Sequence, residues 1–260
     1  MYTQAELLTQ LEQLGIDKNG TLLVHSSFKS MGPIEGGPDT VLDSLSTFMK
    51  EGLLVLPTHT WRYINADNPV FHVEDSPTNV GILTELFRKR PGVVRSLHPT
   101  HSVGALGKDA EAFVSGDEKC DTPCARESVW GKLLDQKAKI MLLGVDLTRN
   151  TFIHGIEEWV DIPGRMTDTH EELYSVRADG TKIKVPSRRH CGLSWSEHFW
   201  KVDDVLLATG AMWMGKLGDA DVRICDTVKL TEVLTEMLHE FPDLFSDNEP
   251  LPDSIRNGYI

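Results

Sequence analysis

The chain is short of basic residues and of cysteine, and it has no long apolar run. Its 260 residues hold 26 Lys and Arg against 39 Asp and Glu, a formal net charge of −13. A surface of that sign repels phosphate backbones and anionic lipid, so neither nucleic acid nor membrane is an expected partner. A cationic ligand is favoured instead. Four cysteines are too few to staple so long a chain, and reduced thiols in a cytoplasm are the expected state. No stretch approaches the ~18 consecutive apolar residues of a membrane span. Met1 to Gly15 has no basic start followed by an apolar core, so no secretory signal is expected there. No Pro/Gly/Ser-rich linker and no internal repeat divides the sequence, and residues 1–260 read as a single domain. Hydrophobic residues, at 40%, are enough to give it a sizeable core.

Apolar periodicity alternates along the chain. Thr3–Gln4–Ala5–Glu6 spells a capping box, and Leu7, Leu8, Leu11 and Leu14 follow at helical spacing. Thr21 to Val24 is a short apolar strand that ends in His25–Ser26–Ser27. Further helices are expected over Asp39 to Met49, Asn79 to Arg90 and Thr151 to Val160. Strands are expected over Leu53 to Leu56, Ser102 to Leu106 and Lys139 to Val145. The alternation predicts a layered α/β/α domain with a largely parallel central sheet, in which ligands collect beyond the carboxyl ends of the strands. His25, His59 and Asp146 stand at such ends. The C-terminal part is more elaborate: Val176 to Ile183 alternates around Asp179–Gly180 as a β-hairpin, Trp195 to Leu207 reads as helical, short strands flank Gly218–Asp219, and Val228 to Glu240 is an amphipathic helix.

Two motifs fall away on inspection. Gly210 to Lys216 resembles a phosphate-binding loop, but Leu217 stands where a Ser or Thr must meet Mg²⁺. Cys120 and Cys124 lie four apart, with Cys191 beside His190 and His198 beyond, yet the second pair lacks zinc-knuckle spacing. Ordinary thiols are the simpler reading. The histidines sort into two groups. His72, His170 and His239 stand in polar surroundings, whereas His25, His98, His101 and His154 stand among small and hydroxyl residues at turns. The sharpest pattern is Asn150–Thr151–Phe152–Ile153–His154–Gly155–Ile156–Glu157. Asn150 or Thr151 can cap a helix, and Glu157 then shares a face with His154. A carboxylate on one imidazole nitrogen fixes the tautomer and leaves the other free to take a proton. On spacing alone, a plain surface His–Glu pair explains the same residues equally well.

Several blocks resemble the aminoglycoside 3-N-acetyltransferase family, in that family's order. They are His25–Ser26–Ser27–Phe28–Lys29–Ser30–Met31–Gly32 with Gly36–Gly37, then Leu54 to Thr58 ahead of Thr60–Trp61, then Arg95–Ser96–Leu97–His98–Pro99–Thr100–His101–Ser102–Val103 with Ala105 and Gly107. The last is Leu142–Leu143–Gly144–Val145 followed by Asn150–Thr151–Phe152–Ile153–His154 and Glu157. The resemblance implies an acyltransferase that moves an acetyl group from acetyl-coenzyme A, as co-substrate, to an amine, with no metal expected. It implies His154 as general base and Glu157 as the acid that positions it, with His25 counted beside them as catalytic. For the cofactor it implies Ser26, Ser27, Phe28, Lys29, Ser30, Arg95, Ser96, His98 and Ser102. Lys29 and Arg95 are the expected partners of the coenzyme A phosphates, and donors at the Ser26–Ser27 loop would stabilise the thioester oxygen. Direct transfer in a ternary complex is expected, with an acetyl-serine at Ser26 or Ser27 as the rival.

The chain departs from the resistance enzymes at Gly155–Ile156, where they carry an aliphatic-Ala pair, and at His101, where they are often apolar. The stretch Cys120 to Cys124 looks more like the uncharacterised bacterial branch. The acceptor is therefore open between an aminoglycoside and another small amine-bearing metabolite, and a second copy of the chain is a compatible partner. Acidic residues are expected to gather on the acceptor side, with Lys29 and Arg95 on the cofactor side. Two other classes stay in view: a metal-dependent hydrolase using His25, His59, His98, His101 and His154, and a non-catalytic binder of cationic metabolites on the same fold.

Overall fold

The computed structural model describes every residue of the chain except Leu193. Its first half runs α1 (Gln4–Glu12), β1 (Thr21–Ser26), α2 (Pro38–Phe48), β2 (Leu53–Pro57), β3 (Val70–His72), α3 (Ile82–Phe87), β4 (Val94–Arg95), β5 (Val103–Gly107), α4 (Ala110–Val114) and α5 (Val129–Asp135). The second half runs β6 (Lys139–Leu143), α6 (Thr151–Trp159), β7 (Tyr174–Val176), β8 (Lys182–Lys184), α7 (Asp203–Ala208), β9 (Met212–Leu217), β10 (Ala220–Asp226), α8 (Thr227–Glu240) and α9 (Asp253–Arg256).

Seven strands form one sheet in the order β4-β5-β2-β1-β6-β10-β9. Side chains alternate across it, and each face is covered by helices. Leu22 and Val24 of β1, with Met141 and Leu143 of β6, pack under α1, α2 and α3 through Leu7, Leu11, Leu45 and Leu83. Leu23 of β1, with Ile140 and Leu142 of β6, packs on the opposite face under α4, α5, α6 and α8 through Phe113, Trp130, Phe152 and Leu234. Both faces of the central strands are thus dry, which is why they read as unbroken apolar runs.

The layered α/β/α class stands as expected. The expectation of a largely parallel sheet holds only at its centre, where β1 pairs parallel with β2 and β6. The outer pairs β2–β5, β4–β5, β6–β10 and β9–β10 are antiparallel. Parallel neighbours need a long crossover, whereas the two-residue turn at Gly218–Asp219 can only fold β10 back along β9. The expected hairpin is present: β7 and β8 pair antiparallel, and β3 adds to β7 to make a separate three-stranded sheet. The helix expected over Asn79 to Arg90 is shorter, because the Asn79 amide is drawn to the His59 carbonyl (2.8 Å) and Gly81 turns the chain at φ 120°. The phosphate-loop look-alike lies in β9 and the turn before it, and so has no helix N-terminus to offer. No helix among the described residues is long and apolar enough to cross a membrane.

Candidate active site

The carboxyl ends of β1, β2 and β6 point the same way and open onto a cleft of about 1000 Å³. His25, Ser26, His59, His101, His154 and His190 line it. His25 is the penultimate residue of β1, His59 follows β2, and His154 sits in the first turns of α6, which is the next helix after β6. Position relative to a strand end therefore brings together residues far apart in sequence.

α6 starts at Asn150, whose side chain accepts the Phe152 amide (3.3 Å). Phe152, Ile153 and Ile156 face the core, which turns His154 to the cleft wall. Glu157, one turn on, is fully buried. Its Oε2 lies 2.8 Å from His154 Nδ1 and accepts Arg165 Nε–H at 2.9 Å, while Ser194 donates its hydroxyl to Oε1. Burial pushes this carboxyl up, but the His154 hydrogen bond and the His154 and Arg165 charges outweigh it and hold the group down at about 2. Arg165 Nη2 lies 2.8 Å from the same Nδ1. A ring nitrogen carries one proton at most, and carboxylate is its natural acceptor here. In the neutral ring Nδ1–H then points to Glu157, with the guanidinium alongside, which leaves Nε2 as the nitrogen with a lone pair.

A second histidine–carboxylate pair stands beside the first. His190 Nε2 lies 2.5 Å from Glu158 Oε1, which also accepts the Cys124 amide at 2.8 Å. The His190 and His154 ring centroids are 4.7 Å apart. Burial lifts Glu158 to about 7 and drives His190 well below its ordinary value. His59 and His101, with ring centroids 4.8 Å apart, are likewise kept neutral by burial, and His25 is lowered to about 3. Cys124, Glu158 and His190 bring one donor atom each within 4.8 Å of one another, and no other such group occurs among the described residues. Three donors fall short of the four that close a structural zinc site. The histidine set expected for a hydrolase does not converge on one point in that way.

The structure divides the expected cofactor residues. Ser26 lines the cleft, and Lys29 is exposed with no hydrogen bond or ion pair among the described residues. Ser27 is tied down, its amide donating to the Leu143 carbonyl (2.8 Å), and the Ser30 hydroxyl donates to the Gly144 carbonyl (3.1 Å). Phe28 packs against the core beneath α1 and α2. The segment Arg95 to Ser102 corrects the expectation most clearly. Arg95 is buried, donating to Thr58 Oγ1 (3.0 Å) and to the carbonyls of Thr58 (2.7 Å), Ser76 (2.6 Å) and Val73 (3.2 Å). Four of the five guanidinium N–H groups are thus spent on the protein's own oxygens, away from the cleft wall. Ser96 Oγ accepts the Val103 amide, His98 Nδ1 accepts the His101 amide (3.1 Å), and the Ser102 hydroxyl donates to the Thr58 carbonyl. These four residues frame the cleft from behind, and of their segment only His101 reaches its wall.

The expected charge division also changes. Arg62, Arg149, Arg165 and Arg189 line the cleft against Glu171 and Glu197, so the acidic surplus lies elsewhere on the molecule. Arg189 is paired with Glu171 (2.6 Å). Sequence reasoning missed Arg165, Ser194 and Glu158, and weighed His190 only as part of a zinc set with Cys120, Cys124 and Cys191. Glu158 was hidden by its neighbour Glu157. Arg165 and Ser194, like His190, lie past the end of α6, where helical spacing does not tie them to His154.

Comparison with known proteins is consistent with this geometry. Residues 23–239 match the family model described as aminoglycoside 3-N-acetyltransferase. Among similar sequences is aminoglycoside N(3)-acetyltransferase IV of Salmonella sp, 33% identical over 249 residues that cover 94% of this chain and 90% of the relative. Among similar structures is aminoglycoside acetyltransferase AAC(3)-IVa, solved as a histidine-to-alanine mutant in complex with a gentamicin, with a TM-score of 0.82 at 28% identity, covering 94% of this chain and 91% of that one. The fold is shared further with AAC-IIIb, solved as a binary complex with CoASH, at a TM-score of 0.81 and 24% identity over 96% of this chain and 99% of that one.

Proposed function

The chain belongs to the aminoglycoside 3-N-acetyltransferase family, and from that premise we propose that it transfers an acetyl group from acetyl-coenzyme A to an amine of an aminoglycoside or a similar small cationic metabolite. The reading rests above all on one observation: a fully buried Glu157 carboxylate, held by Arg165 and Ser194, sits against Nδ1 of a histidine on the cleft wall. An ammonium cannot attack a thioester until it loses a proton. His154 Nε2 takes that proton, and the freed nitrogen lone pair forms the C–N bond. The carbonyl oxygen gains charge, the C–S bond breaks, and the departing thiolate recovers the proton from His154, while the second proton that the nitrogen sheds on becoming an amide leaves to solvent. Glu157 holds the tautomer and balances the imidazolium formed midway. His25, kept neutral by burial at the end of β1, shapes the floor of the same cleft.

Ser26 presents its hydroxyl at the carboxyl end of β1 and is the donor to the developing oxyanion, since the neighbouring Ser27 amide is committed to the sheet. Arg149, exposed at the cleft wall, and Lys29, exposed beyond β1, are the cations for the coenzyme phosphates in place of Arg95. Residues 1–260 act as one domain in this reading, and transfer is direct.

Release of free thiol from acetyl-coenzyme A in the presence of an amine tests the proposal. His154→Ala should slow it by about 10²–10⁴-fold, the range of general-base catalysis. Full activity in that variant sinks the assignment of the base. A covalent acetyl-enzyme that is lost in Ser26→Ala would replace direct transfer with the serine route.

A further inference from the structure

Proton removal by His154 uses one N–H of an acceptor ammonium and leaves two others to be placed. The neighbouring pair offers a partner. His190 lines the cleft with its ring centroid 4.7 Å from that of His154, at an interplanar angle of 38°, so the two imidazoles stand side by side. His190 Nε2 faces Glu158 Oε1 at 2.5 Å, and Glu158 is fixed in turn by the Cys124 amide. With its proton on Nε2, the ring has an unprotonated Nδ1, which makes no hydrogen bond among the described residues. The segment carrying it is locked to the first pair. The Cys191 amide donates to the Arg165 carbonyl (2.8 Å), and Arg165 Nη1 donates to the Cys191 carbonyl (3.0 Å). Arg165 therefore sets the spacing of both histidines.

Charge points the same way. The groups around His190 are His154, His101, Arg165, Arg189, Glu157, Glu158 and the Cys124 thiol. Burial and the neighbouring cations keep the imidazole neutral, so the His190–Glu158 pair is neutral or carries one negative charge. It does not repel an ammonium, as an imidazolium would.

We propose that His190, backed by Glu158, is a second amine-positioning group: its Nδ1 accepts one N–H of the acceptor ammonium while His154 removes another. The inference rests on the acetyltransferase reading of the same cleft. It assigns to this chain a pair of residues, His190 and Glu158, that work on the acceptor and have no part in holding coenzyme A.

Nitrogen NMR of histidine-labelled protein, with gentamicin as the probe, reads the proposal without turnover. The His190 signal, assigned by its loss in His190→Gln, should show the neutral Nε2–H tautomer, and its Nδ1 resonance should move on addition of the amine. An Nδ1–H tautomer, no movement with the amine, or stoichiometric zinc bound through His190 overturns it. Kinetics supply the second arm. His190→Phe should lower kcat/KM for the amine by about ten- to a hundred-fold, the worth of a hydrogen bond to a charged group, with KM for acetyl-coenzyme A unchanged. His190→Asn, which keeps an acceptor oxygen, should recover part of the loss. Equal losses for both substrates would mean a merely structural role and also overturn the proposal. Activity retained by His154→Ala would instead remove the base assignment, while the His190 signal and the amine KM still decide this one.

Discussion

Glu157 is a charge enclosed on every side, held ionised by His154 and, beside it, by the Arg165 guanidinium. Breaking a buried pair by removing one partner typically costs about 3–5 kcal/mol, because the other charge is left uncompensated. Arg165→Met should therefore destabilise the fold by about that amount, read by chemical denaturation, and slow thiol release through a misplaced His154. Adding Glu157→Gln should recover stability without recovering activity. The sign with pH follows from the depressed carboxyl. Its contribution is present above the ordinary glutamate range near ~4.3 and is lost as pH falls toward about 2. In Arg165→Met that loss should begin at higher pH. The same reasoning explains why Arg95 and Lys29, alike in the sequence, part company in the structure. Arg95 leads out of β4 into a ring of carbonyl oxygens, and Lys29 lies in solvent.

At the scale of elements, α6 carries both its own stability and the site. Removing its cap with Asn150→Ala should cost about 1 kcal/mol, measured as a shift of the denaturation midpoint. Gly155 in its middle is held for space. A Cβ there would lie 2.9 Å from Trp159 Cζ2, and that indole is fixed by its N–H to the Cys124 carbonyl (2.9 Å) and by the Phe152 ring. Gly155→Ala gains about 1 kcal/mol of helix propensity but should lose about 1–3 kcal/mol to overpacking, for a net destabilisation. α6 also marks how far the sequence could be read. The apolar strands β1, β2 and β6 and the helices α1, α2, α6 and α8 were legible because burial leaves a period, and the β7–β8 hairpin because Asp179–Gly180 marks its turn, whereas the short α4 and α5 were not. His154 and Glu157 were legible because a helix puts three-apart residues on one face. That Arg165, His190 and Ser194 stand beside them was not, because they reach the site through tertiary packing of irregular chain. The antiparallel flanks of the sheet escaped notice for a similar reason: alternation of strand and helix fixes the layers and leaves strand direction open.

Across the whole molecule, the pH response is set by buried neutral histidines. His25 and His98 are lowered to about 3, and His59, His101 and His190 are well below their ordinary value. Below pH ~6.5 the unfolded chain protonates these groups and the native state does not, so their stabilisation is full above ~6.5 and is lost on acidification. Asp117 and Glu158, raised to about 6 and about 7, act oppositely, since the native state holds protons the unfolded chain releases. The five histidines outnumber the two acids, and stability should fall between pH 6.5 and 5 by up to about 4 kcal/mol per pH unit. Denaturant midpoints at pH 7 and 5.5 check this, and a flat or rising profile toward acid contradicts it. The central position of β1 has a further consequence, for the order in which the molecule can form. β1 pairs with β6 from Leu22↔Lys139 to Ser26↔Leu143, so the first strand made has no neighbour on that side until more than half the chain exists. Pairing across such sequence distances is slow. During synthesis α6 arrives next, with His154 and Glu157 on it, but Arg165, His190 and Ser194 come later still. Until they do, the Glu157 charge lacks Arg165 and Ser194 and is costly to bury, so the polar end of α6 is slow to dock. A nascent chain halted before Arg165 would carry His25, His59 and His154 at the strand ends but lack the cleft wall that residues 165–197 supply.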